Sequence, residues 1–291
     1  MNWRTLEKGQ VFGALSVYCG VTSGACLKLT ETASNAQAVC LRSLVVVAFL
    51  GPILAASRRR RRTAIDRFTL IRSAMEASSG FALSLAVFQL PISLIMSFLS
   101  ALPAFSTLAA AFLLAERARP VAWLGIAGAI LGCLLILRPA FELSVMGTSL
   151  IVFAVGLYAA RDVFTRKYAD RFDATASVTV SNLMIVVISL FFLPSAPWVR
   201  PEVEDVAVLL LSGLFAILAG VLVLRAHQLT AVSLVAPLRF TSVLWAVLYD
   251  WLIWDFLPDN LAWAGIATIL LSTLVILRAN RPKLPTSEMH P

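Results

Sequence analysis

The chain alternates between long apolar stretches and short polar connections along its whole length. Each apolar stretch holds about the 20 residues that a helix needs to cross the hydrocarbon core of a membrane. Ten such stretches can be drawn, at residues 11–29, 36–56, 68–89, 92–114, 120–138, 147–166, 175–194, 205–225, 230–254 and 261–278. The pattern predicts an all-α integral membrane protein with ten transmembrane helices, the first being a retained span and not a cleaved signal peptide.

The amino-acid composition supports a membrane protein and argues against two other classes, a nucleic-acid-binding protein and a protein that holds a metal or cofactor. Of the 291 residues, 59% are hydrophobic and only 14% are charged, against about 25% charged in soluble domains. The net charge of +8 comes from residues between apolar stretches, so no nucleic-acid partner is expected. All four cysteines lie in apolar stretches and only two histidines occur, so neither a metal site nor a cofactor is expected.

Positive charge is distributed unevenly between the two sides of the predicted bundle. With a cytoplasmic N-terminus, 18 of the 24 Lys and Arg residues fall on the inner side, 3 fall outside and 3 lie within apolar stretches. The positive-inside rule therefore predicts a multi-pass membrane protein with both termini in the cytoplasm. We expect SRRRRR at 57–62 to anchor this topology, with binding of anionic lipid as an alternative.

An internal repeat divides the chain into two halves. AWLGIAGAILGCLLILR at 122–138 and AWAGIATILLSTLVILR at 262–278 are identical at 10 of 17 positions. The repeats are predicted at 1–140 and 141–291, together forming one membrane domain. Since five helices are an odd number, the second repeat enters the membrane from the opposite side, which gives the inverted repeats typical of secondary transporters.

Small residues recur at equivalent positions of the fifth and tenth predicted helices. Small side chains allow helices to approach closely within a membrane. We expect these helices to pack within their own repeats, and the alternative is a homodimer face. The positions are Gly125, Gly128 and Gly132 in the first repeat and Gly265, Thr268 and Ser272 in the second.

Three features resemble the drug/metabolite transporter superfamily, in particular its EamA-type ten-helix exporters. They are the five-helix duplication, the acidic pair Glu116 and Asp255 preceding Trp-x-Gly-Ile-Ala, and Arg42 early in the second helix. Among relatives the chain looks most like bacterial aromatic amino-acid exporters of the inner membrane. The resemblance implies a central cavity bounded by helices 3, 4, 8 and 9, with contributions from 1 and 6, and no ATP-binding module. The chain departs from the pattern in having Asp255 instead of Glu and one extra residue before Trp263.

The ninth apolar stretch contains Pro237 and Arg239 far from either end. Arg239 lies roughly 13 Å along the helix from Thr230, at 1.5 Å per residue, so it is near the centre of the membrane. A cation at that depth must face protein or water and marks a substrate or ion path. Because the planar guanidinium group binds carboxylate in a bidentate way, we predict that Arg239 holds a substrate carboxylate.

Glu76 of the third helix reaches a similar depth and follows Arg72 by one helical turn. We predict that Glu76 meets a substrate ammonium group or takes a proton. The alternative is an ion pair of Glu76 with Arg239 or Arg72 that only fixes helix packing, since buried charges must be paired.

The remaining candidate residues are aromatic, small or helix-breaking. Aromatic rings supply shape and stacking in a cavity wall, whereas Tyr249 is expected in an interfacial belt. We expect the two prolines to act as paired hinges, with static kinks as the alternative. The predicted walls are Tyr18, Tyr158 and Trp245 with Ser100 beside them, and the predicted hinges are Pro103 and Pro237.

The sequence therefore predicts an exporter of small metabolites, in particular amino acids including aromatic ones. Alternating access without ATP, as facilitated transport, is the expected mechanism. The first alternative is a broad exporter of lipophilic drugs, which needs no anion-binding arginine. The second is a membrane enzyme acting on lipids, for which the chain lacks a histidine pair or a Ser-His-Asp arrangement.

Overall fold

The computed structural model describes residues 3–61, 66–113, 120–168, 174–192, 198–229 and 236–279. Within these ranges the chain forms eleven α-helices, one 3-10 helix and no strand. The α-helices are α1 (Trp3–Lys28), α2 (Asn35–Arg61), α3 (Arg67–Gln89), α4 (Ile92–Ser100), α5 (Leu102–Leu113), α6 (Pro120–Leu143), α7 (Val145–Lys167), α8 (Ala174–Phe192), α9 (Val203–Leu229), α10 (Thr241–Trp254) and α11 (Asn260–Ala279), with the 3-10 helix at Ala236–Phe240 before α10.

Where the structure describes them, all ten predicted stretches are helical, and two of them are interrupted near a proline. The fourth breaks at Ala101 into α4 and α5, two residues before Pro103. In the ninth stretch, the residues around Pro237 form the 3-10 helix, and the chain then continues as the α-helix α10. Proline has no backbone N–H to donate, which favours an interruption at these places. Residues 230–235 of the ninth stretch lie outside the described residues.

Five helices of the described chain are long and apolar enough to cross a membrane, and three shorter helices are apolar. The longer segments are Gly9–Lys28, Asn35–Ala56, Ile92–Phe112, Val145–Thr165 and Val203–Val223. α3 falls outside both groups because charged and small polar residues interrupt its apolar character. These polar residues include Ser73, Ser79 and Ser84, which are buried. The central position of α3, between α7 and α8, accommodates this polarity.

Two expected connections are helical instead. The basic stretch after residue 57 continues α2 to Arg61, and residues 138–143, expected as a connection, continue α6 to Leu143. Arginine is a good helix former, which favours continuation of α2 through the basic stretch. Glu116 lies outside the described residues.

The two halves are inverted relative to each other, as the packing of α6 against α11 shows. A Cβ added at Gly132 would lie 2.8 Å from the carbonyl oxygen of Gly265, and one at Gly125 would lie 2.9 Å from that of Ser272. Residue numbers rise along one helix as they fall along the other, so the helices are antiparallel. The expectation that the small residues pack within their own repeats is wrong: they join the two repeats, because only glycine permits this backbone approach.

The other helix contacts follow the same approximate two-fold symmetry. α1 packs against α9 and α3 against α7, and exchanging the halves converts one pair into the other. The same exchange leaves two other contacting pairs unchanged, because each pair contains equivalent helices of the two halves. These pairs are α2 with α8 and α4 with α10. We call the face of the bundle where α1 and α3 begin the proximal face, and the face where they end the distal face.

Asp255 ends α10 in the left-handed region, with φ of 49°. Its neighbour Phe256 donates its backbone N–H to the Asp250 carbonyl at 3.0 Å. Aspartate tolerates this backbone conformation better than most residues with a side chain. This requirement accounts for aspartate at the position where the exporter pattern has glutamate.

Candidate functional site

A network of charged side chains lies between α3 and α7, in the proximal half of the bundle. The guanidinium group of Arg161 donates to Glu76 Oε2, and Arg72 Nη2 lies 3.5 Å from the same oxygen. Arg72 Nε also donates to Thr165 Oγ1 at 3.1 Å. Glu76 is therefore held by two guanidinium groups, one from its own helix and one from the other repeat.

The network extends through Asp162 to α5. Asp162 accepts a hydrogen bond from the adjacent Arg161 side chain and another from Ser106 Oγ, at 3.1 Å. The Asp162 side chain nevertheless keeps 35% of its surface exposed. A half-exposed carboxylate among packed helices must face a space that water can enter, since lipid exposure of a charge is costly.

Arg239 is the second sign of such a space. Its side chain is exposed, yet it interacts electrostatically with Asp162, Arg161, Glu76 and Tyr158 on α3 and α7. None of the ion pairs between described residues includes Arg239. The 3-10 helix therefore places Arg239 within electrostatic reach of the charged network between α3 and α7.

Tyr158 connects this network to α2. The Arg161 guanidinium lies over the Tyr158 ring, 4.8 Å from its centroid, and Arg42 interacts electrostatically with the same tyrosine. A Cβ added at Gly80 would lie 3.5 Å from Tyr158 Oη, so α3 leaves room for the phenol. Arg42 itself donates to Ser84 Oγ at 3.0 Å.

The other two predicted aromatic residues lie together on α1 and α10. The rings of Tyr18 and Trp245 meet edge to face with centroids 5.0 Å apart. Tyr249 shares a 2.8 Å hydrogen bond between its hydroxyl and Thr22 Oγ1, and its place in an interfacial belt stays a prediction. A phenol needs a polar partner away from water, and α1 supplies it.

Replacing Tyr249 by phenylalanine is expected to lower stability by roughly 0.5–1.5 kcal/mol, because one hydrogen bond between membrane helices is lost. Thermal unfolding of the purified protein in detergent measures the change. Trp251→Phe is the matched control, since Trp251 lies on the same helix with 50% of its surface exposed. Equal melting temperatures for the two variants would show that the bond to Thr22 contributes nothing.

Ser100 and Pro103 make hydrogen bonds within and between helices. The buried Ser100 hydroxyl donates to the Met96 carbonyl at 2.8 Å, and the Ser100 carbonyl accepts from Thr273 of α11 at 3.0 Å. Thr107 Oγ1 donates to the carbonyl of Pro103 at 2.7 Å. Contact of Ser100 with substrate, and hinge motion at the two prolines, remain predictions.

Polar contacts within and between the two halves lie at the distal face. Lys28 Nζ of α1 donates to the Leu90 carbonyl at 2.8 Å and lies 4.6 Å from the centroid of a Trp254 ring. Asp250 of α10 accepts from the backbone N–H groups of Ile92 and Ser93, at 3.0 and 2.6 Å. A carboxylate at a helix N-terminus also interacts favourably with the helix dipole. The first turn of α4 is thereby fixed to the end of α10.

Sequence reasoning missed Arg161, Asp162 and Asp250. Arg161 lies six residues before the end of α7 at Lys167, near enough to a helix end that an arginine at the membrane surface is the ordinary expectation. The available signal was a charged pair inside a hydrophobic stretch, since such residues are usually functional or paired. Of the predicted residues, the structure brings Glu76, Tyr158 and Arg239 into one electrostatic network.

Inverted repeats of membrane helices are an architecture typical of secondary transporters. The sequence profile of the EamA-like transporter family, part of the drug/metabolite transporter superfamily, matches residues 7–138 and 145–278. The chain therefore belongs to the EamA-like transporter family and is a transporter of small molecules, not an enzyme.

Similar proteins support the fold and the breadth of this family. A riboflavin transporter of Vibrio cholerae is 25% identical over 60% of this chain, a match that spans 58% of the relative's length. The pseudopaline exporter CntI of Pseudomonas aeruginosa is 25% identical over 95% of this chain and 98% of the exporter. A solved crystal structure, 15% identical, superposes with a TM-score of 0.60 and covers 95% of this chain and 99% of its own; it supports the fold alone.

Proposed function

We propose that the protein exports small metabolites that carry a carboxylate, in particular amino acids including aromatic ones, from the bacterial cytoplasm. The observation that carries the proposal is Arg239, an exposed residue whose guanidinium group belongs to none of the ion pairs between described residues. Such a group binds a carboxylate with paired hydrogen bonds. Tyr18 and Trp245, which are in contact, would receive the apolar part of the substrate.

In this proposal the proximal face is cytoplasmic and both termini lie inside, because most of the basic residues fall on that side. Substrate enters from the proximal face while the contacts of Lys28 with Trp254 and of Asp250 with Ile92 keep the distal face closed. Rocking of the inverted halves then opens the distal face. The similarity to the Pseudomonas pseudopaline exporter along nearly the whole chain favours export as the direction.

The proposed mode is facilitated transport. Glu76 is the acid that the sequence offered for proton coupling, but Arg161 and Arg72 already hold its carboxylate. Glu76 then acts as the counter-ion that fixes both arginines, in addition to tying α3 to α7. Export rates that do not respond to an imposed proton gradient are the expected result in reconstituted vesicles.

Replacing Arg239 by alanine is expected to raise the KM for amino acids about tenfold or more, because a charge-assisted hydrogen bond of about 1.5–3 kcal/mol is lost. The experiment is counterflow of labelled amino acids, nucleosides and cationic dyes in proteoliposomes. Arg278→Gln is the matched control, since this exposed residue lies at the end of α11. Unchanged amino-acid flux in Arg239→Ala would remove the proposal, and dye flux that persists would support the drug exporter instead.

A further inference from the structure

Aromatic rings and basic side chains meet at the proximal face, where α3 begins and α7 ends. The ring centroids of Phe68 and Tyr168 lie 4.6 Å apart, and the Phe164 ring lies 4.9 Å from that of Tyr168. The Arg67 guanidinium lies 5.0 Å from the Phe68 centroid, and Lys167 Nζ lies 5.6 Å from the Tyr168 centroid. Two cations, one from each repeat, are thus connected through rings that are in contact. We call these five residues the proximal cluster.

The two cations of the proximal cluster have donors left for a further partner. Arg67 and Lys167 are exposed, and neither takes part in an ion pair between described residues. The acid beside Arg67, Asp66, caps α3 by accepting the backbone N–H of Thr69 at 2.8 Å. Arginine carries five N–H donors and lysine three. A ring covers only one side of each cation, so an anion can bind on the other side.

Further positive charge lies at the end of α2, on the same face. Four consecutive arginines, at positions 58–61, form the last turn of α2, and a fifth follows at position 62. α3 begins soon afterwards at Arg67, and α2 packs against α3. The basic end of α2 therefore adds to the positive charge around the proximal cluster.

These cations lie at the depth of lipid headgroups. The membrane-crossing segment of α2 ends at Ala56 and that of α7 at Thr165. The first arginine of α2 and Lys167 each follow such an end by roughly 3 Å along the helix, at 1.5 Å per residue. Just before the basic end of α2, the apolar side chains of Phe49 and Ile53 are exposed, as is expected where a helix faces lipid. Aromatic rings are also enriched at this depth.

We propose that the proximal cluster binds the headgroup of an anionic phospholipid, and that the basic end of α2 attracts such lipids to it. The lipid phosphate accepts charge-assisted hydrogen bonds from the guanidinium and ammonium groups. Basic residues directly beside a membrane span are attracted to anionic lipid. Arg67 belongs to the first repeat and Lys167 to the second, so a headgroup bound to both would join the repeats. This inference concerns the lipid neighbours of the protein and does not depend on the identity of its substrate.

Lipid titration of the detergent-purified protein tests the proposal. Phosphatidylglycerol and phosphatidylcholine with identical acyl chains differ in the net charge of the headgroup, and native mass spectrometry counts the lipids bound at each concentration. Phosphatidylglycerol is expected to bind at least about fivefold more tightly, the contribution of one cation near the membrane surface, and to raise the melting temperature. Glycerol 3-phosphate, added in place of lipid, carries the same phosphate chemistry without acyl chains.

Substitutions then assign the lipid to the proximal cluster. Arg67→Gln and Lys167→Gln are each expected to weaken phosphatidylglycerol binding about fivefold, and the double variant about 25-fold, with phosphatidylcholine binding unchanged. The exchange of Arg67→Lys with Lys167→Arg keeps both charges and is expected to keep the preference. Arg278→Gln is the matched control, since Arg278 is an exposed cation at the proximal end of α11, a helix that packs against α6. Elution of each variant as a single species confirms folding.

Three results would overturn the proposal. Equal binding of the two phospholipids would show that headgroup charge is not recognised. Stabilisation by glycerol 3-phosphate as strong as that by phosphatidylglycerol would identify a site for free phosphate instead of lipid. An equal loss of preference in Arg278→Gln and in the double variant would show a response to overall positive charge and would remove the assignment to the proximal cluster.

Discussion

Substitution of Gly132 by alanine is expected to destabilise the bundle by about 1–3 kcal/mol, the range for overpacking of a close contact. The added Cβ would lie 2.8 Å from the Gly265 carbonyl oxygen and 3.0 Å from the Ile269 backbone nitrogen. Both are backbone atoms, so rotation of a side chain cannot relieve the contact. α6 and α11 must separate, and with them the two repeats. Thermal unfolding in detergent, followed by elution as a single species, measures the loss.

The chain contains a matched control for this substitution. Gly220 lies inside α9, and a Cβ added there would meet no heavy atom within 4 Å. Gly220→Ala is therefore expected to leave stability unchanged or raise it by about 0.5–1 kcal/mol, the intrinsic helix preference for alanine over glycine. If both alanine variants melt at the same temperature, close packing of α6 on α11 does not stabilise the fold.

The inverted arrangement of the two halves could be predicted from the sequence because the two copies of the repeat still share many identical residues. The match of residues 122–138 with 262–278 and the odd number of helices together require inversion. The partner of the small residues could not be predicted in this way. Gly132 is compatible with any close neighbour, and only the folded chain brings Gly265 against it.

The charged site could be predicted in part, for a related reason. Arg239 and Glu76 stand out because each interrupts an apolar stretch near its middle. Arg161 lies closer to a helix end, where an arginine reaching the membrane surface is the ordinary expectation. Its role depends on contacts across the repeats, with Glu76 and Tyr158. Periodicity along one helix contains no information about which neighbour a charge will face.

Replacement of Asp250 by asparagine is expected to lower stability by about 1–3 kcal/mol, because a buried donor loses its acceptor. The fully buried carboxylate accepts from the backbone N–H groups of both Ile92 and Ser93. An amide of the same shape has one oxygen, and its NH2 group would face the second donor. Lys28, which interacts electrostatically with Asp250, also loses its counter-charge. Thermal unfolding beside Asp259→Asn, a change at an exposed residue, measures the difference.

A second consequence of Asp250→Asn concerns the equilibrium between conformations. Asp250 belongs to the second repeat and the first turn of α4 to the first, so opening of the distal face in the proposed alternating access would break their contact. Weakening a contact made in one state shifts the population toward the other. Spin labels on cysteines introduced at the exposed residues Glu31 and Leu257 would report the opening, as longer distances in Asp250→Asn than in the otherwise unchanged protein.

The two measurements together separate a gate from a purely structural contact. A carboxylate that only holds α4 in place lowers the melting temperature but leaves the distribution of label distances unchanged. A carboxylate that holds the distal face closed changes the distances as well, and a ligand that favours the proximally open state should restore the shorter ones. Asp250 and Arg239 lie on the same continuous segment. A single movement of this segment would then couple substrate binding at Arg239 to opening of the distal face.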